Sequence, residues 1–221
     1  LEPNAVHSLY GWFVVDDVIY SRWSTRWFIL HALILTLFTM CALSSYYHCG
    51  RCCDPHLHDY YLSIDWGGVM LLIFWSFLSC IYIGFECHSN TQTSYFVLVF
   101  AFIVFVLTPM FFIWPKWTSF KCKAITLAMF GAFGAIVIPF HWLYFLATPS
   151  EYDIFLPVSV QFFVIYCIGF VCFIFRLPER IIPGFFDTIG NSHNIWHLCI
   201  VTGSWLWWQG LVQVAEHRTE C

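Results

Sequence analysis

Charge is what this sequence lacks most. Asp, Glu, Lys and Arg make up 10% of its 221 residues, against 60% hydrophobic residues. A soluble domain of that length needs far more charge to cover its surface, so a free soluble chain is excluded. No run or tail of Lys and Arg occurs, and the formal net charge is −4. A nucleic-acid partner, whose phosphates demand clustered basic residues, is therefore not expected. Internal repeats, low-complexity segments and a signal-peptide pattern are missing too, as is a Met before Leu1. The expectation is that the chain starts part-way into a longer protein, with an upstream helix missing.

Apolar and aromatic residues fill the space, with 25 Phe, 12 Trp and 11 Tyr and a mean hydropathy of +0.74. Lipid is the solvent that absorbs such a surface. A helical span needs about 20 largely apolar residues, because a rise of about 1.5 Å per residue must cross a core about 30 Å thick. Six stretches qualify, at about 27–47, 61–85, 95–114, 124–145, 154–175 and 192–214. Trp27, Tyr47, Trp114, Trp117 and Tyr152 mark their ends as interfacial aromatics do. The fold class expected is all-α, a polytopic membrane helix bundle. Residues 1–26 are read as a non-cytosolic connector, 27–215 as the transmembrane domain and 216–221 as a tail. The partly apolar Ala5–Tyr20 stretch is kept out of the spans because Asp16 and Asp17 would sit in its last turns.

Several of the eleven cysteines, such as Cys41, Cys80, Cys167, Cys172 and Cys199, fall inside apolar segments. They read as small buried hydrophobes, not as a disulfide framework. Basic residues orient the bundle. One side carries Arg51, Lys116, Lys121, Lys123, Arg176 and Arg180, and the other carries Arg22, Arg26 and Arg218. The positive-inside rule puts the first group in the cytosol, with the acidic Glu151–Asp153 loop opposite.

Against this background the ionisable residues inside spans stand out, since each costs about 2.5–3.5 kcal/mol on insertion scales. Ser44 and His48 lie four apart at the cytosolic end of the first span. Asp65 lies about one turn into the second, and His193 and His197, again four apart, open the sixth. Alternating direction brings all five to one shallow slab of membrane. Residues four apart share a helix face, so His193 and His197 can aim at one ion, with His48 as a third nitrogen ligand. Three ligands and an open position form the pattern of catalytic zinc. Asp65 is the candidate general base or weak ligand, and Ser44 a hydrogen-bond donor to water or to a substrate oxygen. The alternative is that these groups only hydrogen-bond between helices; three His and an Asp at one depth favour the metal.

His141 lies at the wrong depth and reads as a packing or cavity-lining residue. A rival cluster, Cys49, Cys52, Cys53, His56 and His58, occupies the first cytosolic loop. No second CxxC pair follows it, palmitoylation explains it equally well, and the reading adopted is reduced cytosolic thiols at an interface.

The runs Ser44-x-x-x-His48, Ser63-Ile-Asp65-Trp-Gly-Gly, Arg176-Leu-Pro-Glu-Arg180-Ile-Ile-Pro183-Gly184-Phe-Phe-Asp187 and Gly190-Asn-Ser192-His193-Asn-Ile-Trp-His197 resemble the progestin and adipoQ receptor family. This is a family of adiponectin-receptor-like, hemolysin-III-related proteins, and the likeness runs in order from about residue 27 to 215. Val137-Ile-Pro139-Phe-His141-Trp and the Trp-rich last span look most like the branch of the Golgi-resident Raf-kinase-trapping member. Asn194 stands where many relatives have Gln.

The resemblance implies seven spans in the whole protein, with the N-terminus cytosolic. It implies zinc on His48, His193 and His197, with Asp65 and Ser44 beside the bound water. It also implies a signalling receptor, outside the G-protein-coupled class, that hydrolyses a lipid amide such as ceramide. Its partners would be membrane lipids (ceramide, fatty acid or steroid) and a cytosolic signalling protein. The alternative is a non-enzymatic scaffold or receptor that tethers a kinase, with structural zinc. A transporter is disfavoured, because no chain of intramembrane charges crosses the bilayer. Golgi and plasma membrane both remain open as locations.

Overall fold

The computed structural model describes residues 25–50, 57–113, 119–186 and 189–218. Lipid offers the backbone no hydrogen bonds, so each apolar stretch must satisfy its own N–H and C=O groups as a helix. Helix α1 is Thr25–Gly50 and α2 is His58–Gly84. Helix α3 runs over Ser89–Ile113 and α4 over Cys122–Phe145. Helix α5 is Pro149–Phe175 and α6 is Ser192–His217. No strand occurs among the described residues. Two helices are locally widened into π-turns, α3 at Ile103–Leu107 and Pro109–Ile113 and α4 at Phe133–Val137. A proline, which cannot donate to the ladder, stands beside both (Pro109 and Pro139).

Helices α1 to α5 are long and apolar enough to cross a membrane. The chain is thus a multi-pass membrane protein. The expected sixth span is α6, which has 26 residues but lies outside that set. His193, Asn194, His197, Thr202, Ser204, Gln209 and Gln213 dilute its apolarity. It packs along α5 and touches α1 and α2. Helix α2 is the most enclosed of the five spans, whereas α3 and α5 present most of their surface outward.

Small residues let α5 and α6 approach closely, as dispersion-driven packing in lipid requires. A Cβ on Gly169 would fall 2.7 Å from the Cys199 side chain, and one on Gly210 would fall 2.7 Å from Val158. Buried polar groups are matched across the seams. Tyr166 Oη and Ser204 Oγ are 3.1 Å apart, and Trp207 Nε1–H donates to the Ser76 carbonyl at 3.3 Å.

The end of the bundle near Gly84 is closed by charge. Arg26 at the start of α1 reaches Glu86 at 2.7 Å and the Arg218 carbonyl at 3.3 Å. Arg218, just past α6, pairs with Glu151, whose other oxygen accepts from the Thr148 N–H at 2.8 Å and caps α5. Arg26, Arg218 and Glu151, read in sequence as loop charges, are therefore one interhelical network. Cys41, Cys49, Cys80, Cys122, Cys167, Cys172 and Cys199 are free thiols, but of the five read as buried hydrophobes only Cys80 is buried; Cys41, Cys172 and Cys199 are half-buried and Cys167 is exposed on α5. Cys87 differs, being disulfide-bonded in the exposed turn after α2.

Candidate metal centre

At the opposite end, α1 finishes where α2 and α6 begin. Helical spacing turns His193 and His197 to one face of α6, and Ser44 and His48 to one face of α1. The start of α6 is held firmly. Asn191 caps it by accepting the Asn194 N–H at 3.0 Å, and the Asn194 carboxamide accepts the Gly190 N–H at 3.2 Å. Gly190 sits at φ +79, in left-handed territory that glycine enters without penalty. The Asn194 side chain thus shapes the turn before α6. Glu179, in the α5–α6 connection, accepts the Ser192 N–H at 2.7 Å and also its hydroxyl. Burial opposes ionisation of Glu179, yet the Ser192 bonds and the Arg176 charge hold its carboxyl below the usual 4.5. That brace places the residue directly before His193.

His193 is the hub of the site. Its Nε2 lies 2.8 Å from His48 Nε2 and 3.0 Å from His197 Nε2. Ligand atoms of the three residues all fall within 4.8 Å of one another. Three imidazole nitrogens turned towards each other are poor mutual hydrogen-bond partners, since each ring nitrogen is either a donor or an acceptor. They are a good ligand set, because tetrahedral zinc with Zn–N of about 2.0–2.1 Å holds nitrogens at similar separations. The donor chemistry fits a divalent ion of the zinc type.

Ser44 is buried, with Oγ 3.3 Å from His197 Nε2. Asp65, on α2, stands close enough for its charge to act on His197, but its carboxylate is not one of the clustered ligand atoms. Aromatic rings wall the site. Tyr47 meets the His48 ring at 4.9 Å and Phe173 meets the His193 ring at 5.8 Å between centroids. Glu179 and these rings were not singled out from sequence as site residues. Glu179 is separated by 13 residues from its partner Ser192, and no local pattern reports such a contact.

His141 is elsewhere, at the Gly84 end, with Nδ1 2.7 Å from Tyr95 Oη. It joins α3 to α4, in line with a packing role. Of the rival cluster, Cys49 is exposed, while Cys52, Cys53, His56 and the His58 side chain lie outside the described residues.

Residues 5–208 match the model of the haemolysin-III-related family. The chain belongs to that family. Its relatives bear out the resemblance to progestin and adipoQ receptors. Progestin and adipoQ receptor family member 3 of Mus musculus is 27% identical, over 86% of this chain and 63% of its own length. The adiponectin receptor protein of Drosophila melanogaster is 25% identical, over 79% and 40% respectively. Heptahelical transmembrane protein 1 of Arabidopsis thaliana is 30% identical, over 81% of this chain and 54% of its own. The chain therefore spans between 40% and 63% of the length of these relatives.

Proposed function

We propose that this haemolysin-III-related protein is a signalling receptor of the progestin and adipoQ type. In this reading its His48, His193 and His197 site holds zinc and hydrolyses a lipid amide such as ceramide. The observation that carries it is the convergence of three imidazole nitrogens from two helices, beside a buried hydroxyl and a nearby carboxylate. Zinc on three nitrogens supplies an electrophile that acidifies water to a pKa of about 7 and polarises a carbonyl.

The chain's own residues do the rest. Asp65 takes the proton from the attacking water as general base. The Ser44 hydroxyl donates a hydrogen bond to the carbonyl oxygen as charge develops there. As the C–N bond breaks, the proton on Asp65 passes to the departing amine, leaving a free fatty acid. The outward-facing apolar surfaces of α3 and α5 admit acyl chains sideways from lipid. The site faces the cytosol on the strength of the basic residues at its end. The disulfide at Cys87, on the opposite end, agrees with that orientation, because disulfides persist in oxidising compartments.

Purified zinc-loaded protein given ceramide should release fatty acid, and Asp65→Asn should abolish release while keeping the metal. Folded, zinc-loaded wild type that releases nothing removes the hydrolytic step and leaves a receptor or kinase-tethering scaffold with structural zinc.

A further inference from the structure

The connection from α5 to α6 has a composition unlike that of a solvated loop. Ile181, Phe185 and Ile189 are 70%, 75% and 82% exposed, and Ile182 is exposed beside them. Water would disfavour such a patch. At the end of a spanning helix it belongs in the interfacial layer, where apolar side chains sink below the headgroups and guanidinium groups stay at phosphate depth. A cavity of about 520 Å³ opens there, lined by Ile174, Phe175, Arg176, Glu179 and Arg180. Ile174 and Phe175 are the exposed last residues of α5. The Glu179 carboxylate is taken up by Ser192. Among the described residues, neither Arg176 nor Arg180 enters a salt bridge.

We propose that this cavity binds an anionic glycerophospholipid. The Arg176 and Arg180 guanidiniums hold its headgroup phosphate, and the first acyl segment lies on Ile174, Phe175 and Ile181. Two planar guanidiniums suit phosphate oxygens, which accept paired N–H bonds. The cytosolic leaflet, where the proposed orientation puts this end, is the one enriched in anionic lipid. Because Glu179 both lines the cavity and braces Ser192, an occupied headgroup site lies one residue's contact away from the start of α6 and His193.

Native mass spectrometry of the full chain, released from detergent containing phosphatidylserine and phosphatidylcholine, tests this. Wild type should retain phosphatidylserine several-fold over phosphatidylcholine, and R176Q/R180Q should lose the preference. H193A, which damages the metal site, should keep it, so failure here is distinct from failure of the zinc reading. If the double variant does not fold, R180Q alone, at an exposed side chain, reads the same loss. Equal retention of both lipids overturns the proposal. So does a preference unchanged by the Arg substitutions, or displacement of the lipid by inorganic phosphate at comparable concentration.

Discussion

His48 Nε2 and His193 Nε2 lie 2.8 Å apart although 145 residues separate them in the chain. A contact so close between two polar rings, one at the end of α1 and one at the start of α6, has two explanations. Either a single shared proton joins them, or a cation does. His197 Nε2, 3.0 Å from the same His193 atom, makes three nitrogens for one small volume and favours the cation.

Loss of any one of these imidazoles should strip the site of metal, whereas loss of a supporting group should only weaken it. His197→Ala is expected to purify without stoichiometric zinc. Ser44→Ala should retain zinc with affinity reduced about 10–100-fold, the usual cost of removing an outer partner. Equilibrium dialysis against a competing chelator separates the two. Equal affinities in Ser44→Ala and wild type would limit Ser44 to its hydrogen bond with the substrate carbonyl.

Arg218 and Glu151 form a nearly buried pair, 8% and 6% exposed at the side chain. Removing one partner leaves the other charge buried and unpaired, which costs about 3–5 kcal/mol. Arg218→Met should therefore lower stability strongly, and Arg218→Met with Glu151→Gln should recover part of the loss. Thermal unfolding of the three proteins in detergent measures it. A single variant as stable as wild type would mean the pair contributes nothing to the closure of that end.

Gly210 tests the α5–α6 seam. An added Cβ would meet Val158 atoms at 2.7 and 3.1 Å, and Val is stiff at χ1, so it cannot swing aside. Alanine gains at most about 1 kcal/mol of helix propensity, while overpacking costs about 1–3 kcal/mol. The expected net effect of Gly210→Ala is a lower unfolding midpoint. A raised midpoint would show that the two helices yield there freely.

Glu179 gives a pH signature. Its carboxyl titrates below the usual 4.5 in the folded chain, held down by Ser192 and Arg176 against the pull of burial. A lowered folded pKa contributes stability that is fully present above the unfolded value and fades as pH falls through the folded one. Glu179→Gln should thus unfold more readily than wild type at neutral pH, with the gap closing in acid below 4.5. A gap independent of pH would assign the effect to shape, not charge.

Much of the fold was legible in the sequence because lipid imposes a simple rule: apolar runs of sufficient length become helices. The convergence of Ser44, His48, His193 and His197 was legible for a related reason. Alternating spans fix depth, and spacing of four fixes the helix face. What the sequence did not reveal depends on side chains meeting across helices at unpatterned separations. Arg26 with Glu86, Arg218 with Glu151, and Glu179 with Ser192 are pairs of this kind. Helix α6 was read from the sequence as a span at about 192–214 and is a helix at Ser192–His217, although it falls outside the set apolar enough to cross a membrane. Its Trp and small polar residues serve packing against neighbours, so apolarity alone marks it less clearly than the lipid-facing helices.

Metal analysis of the purified chain, wild type beside His193→Ala, bears most directly on the central claim. The three-imidazole site predicts zinc in equimolar amount with wild-type protein and almost none in the variant. A folded wild-type chain that stays metal-free in zinc-replete buffer, or a variant that retains its zinc, contradicts it.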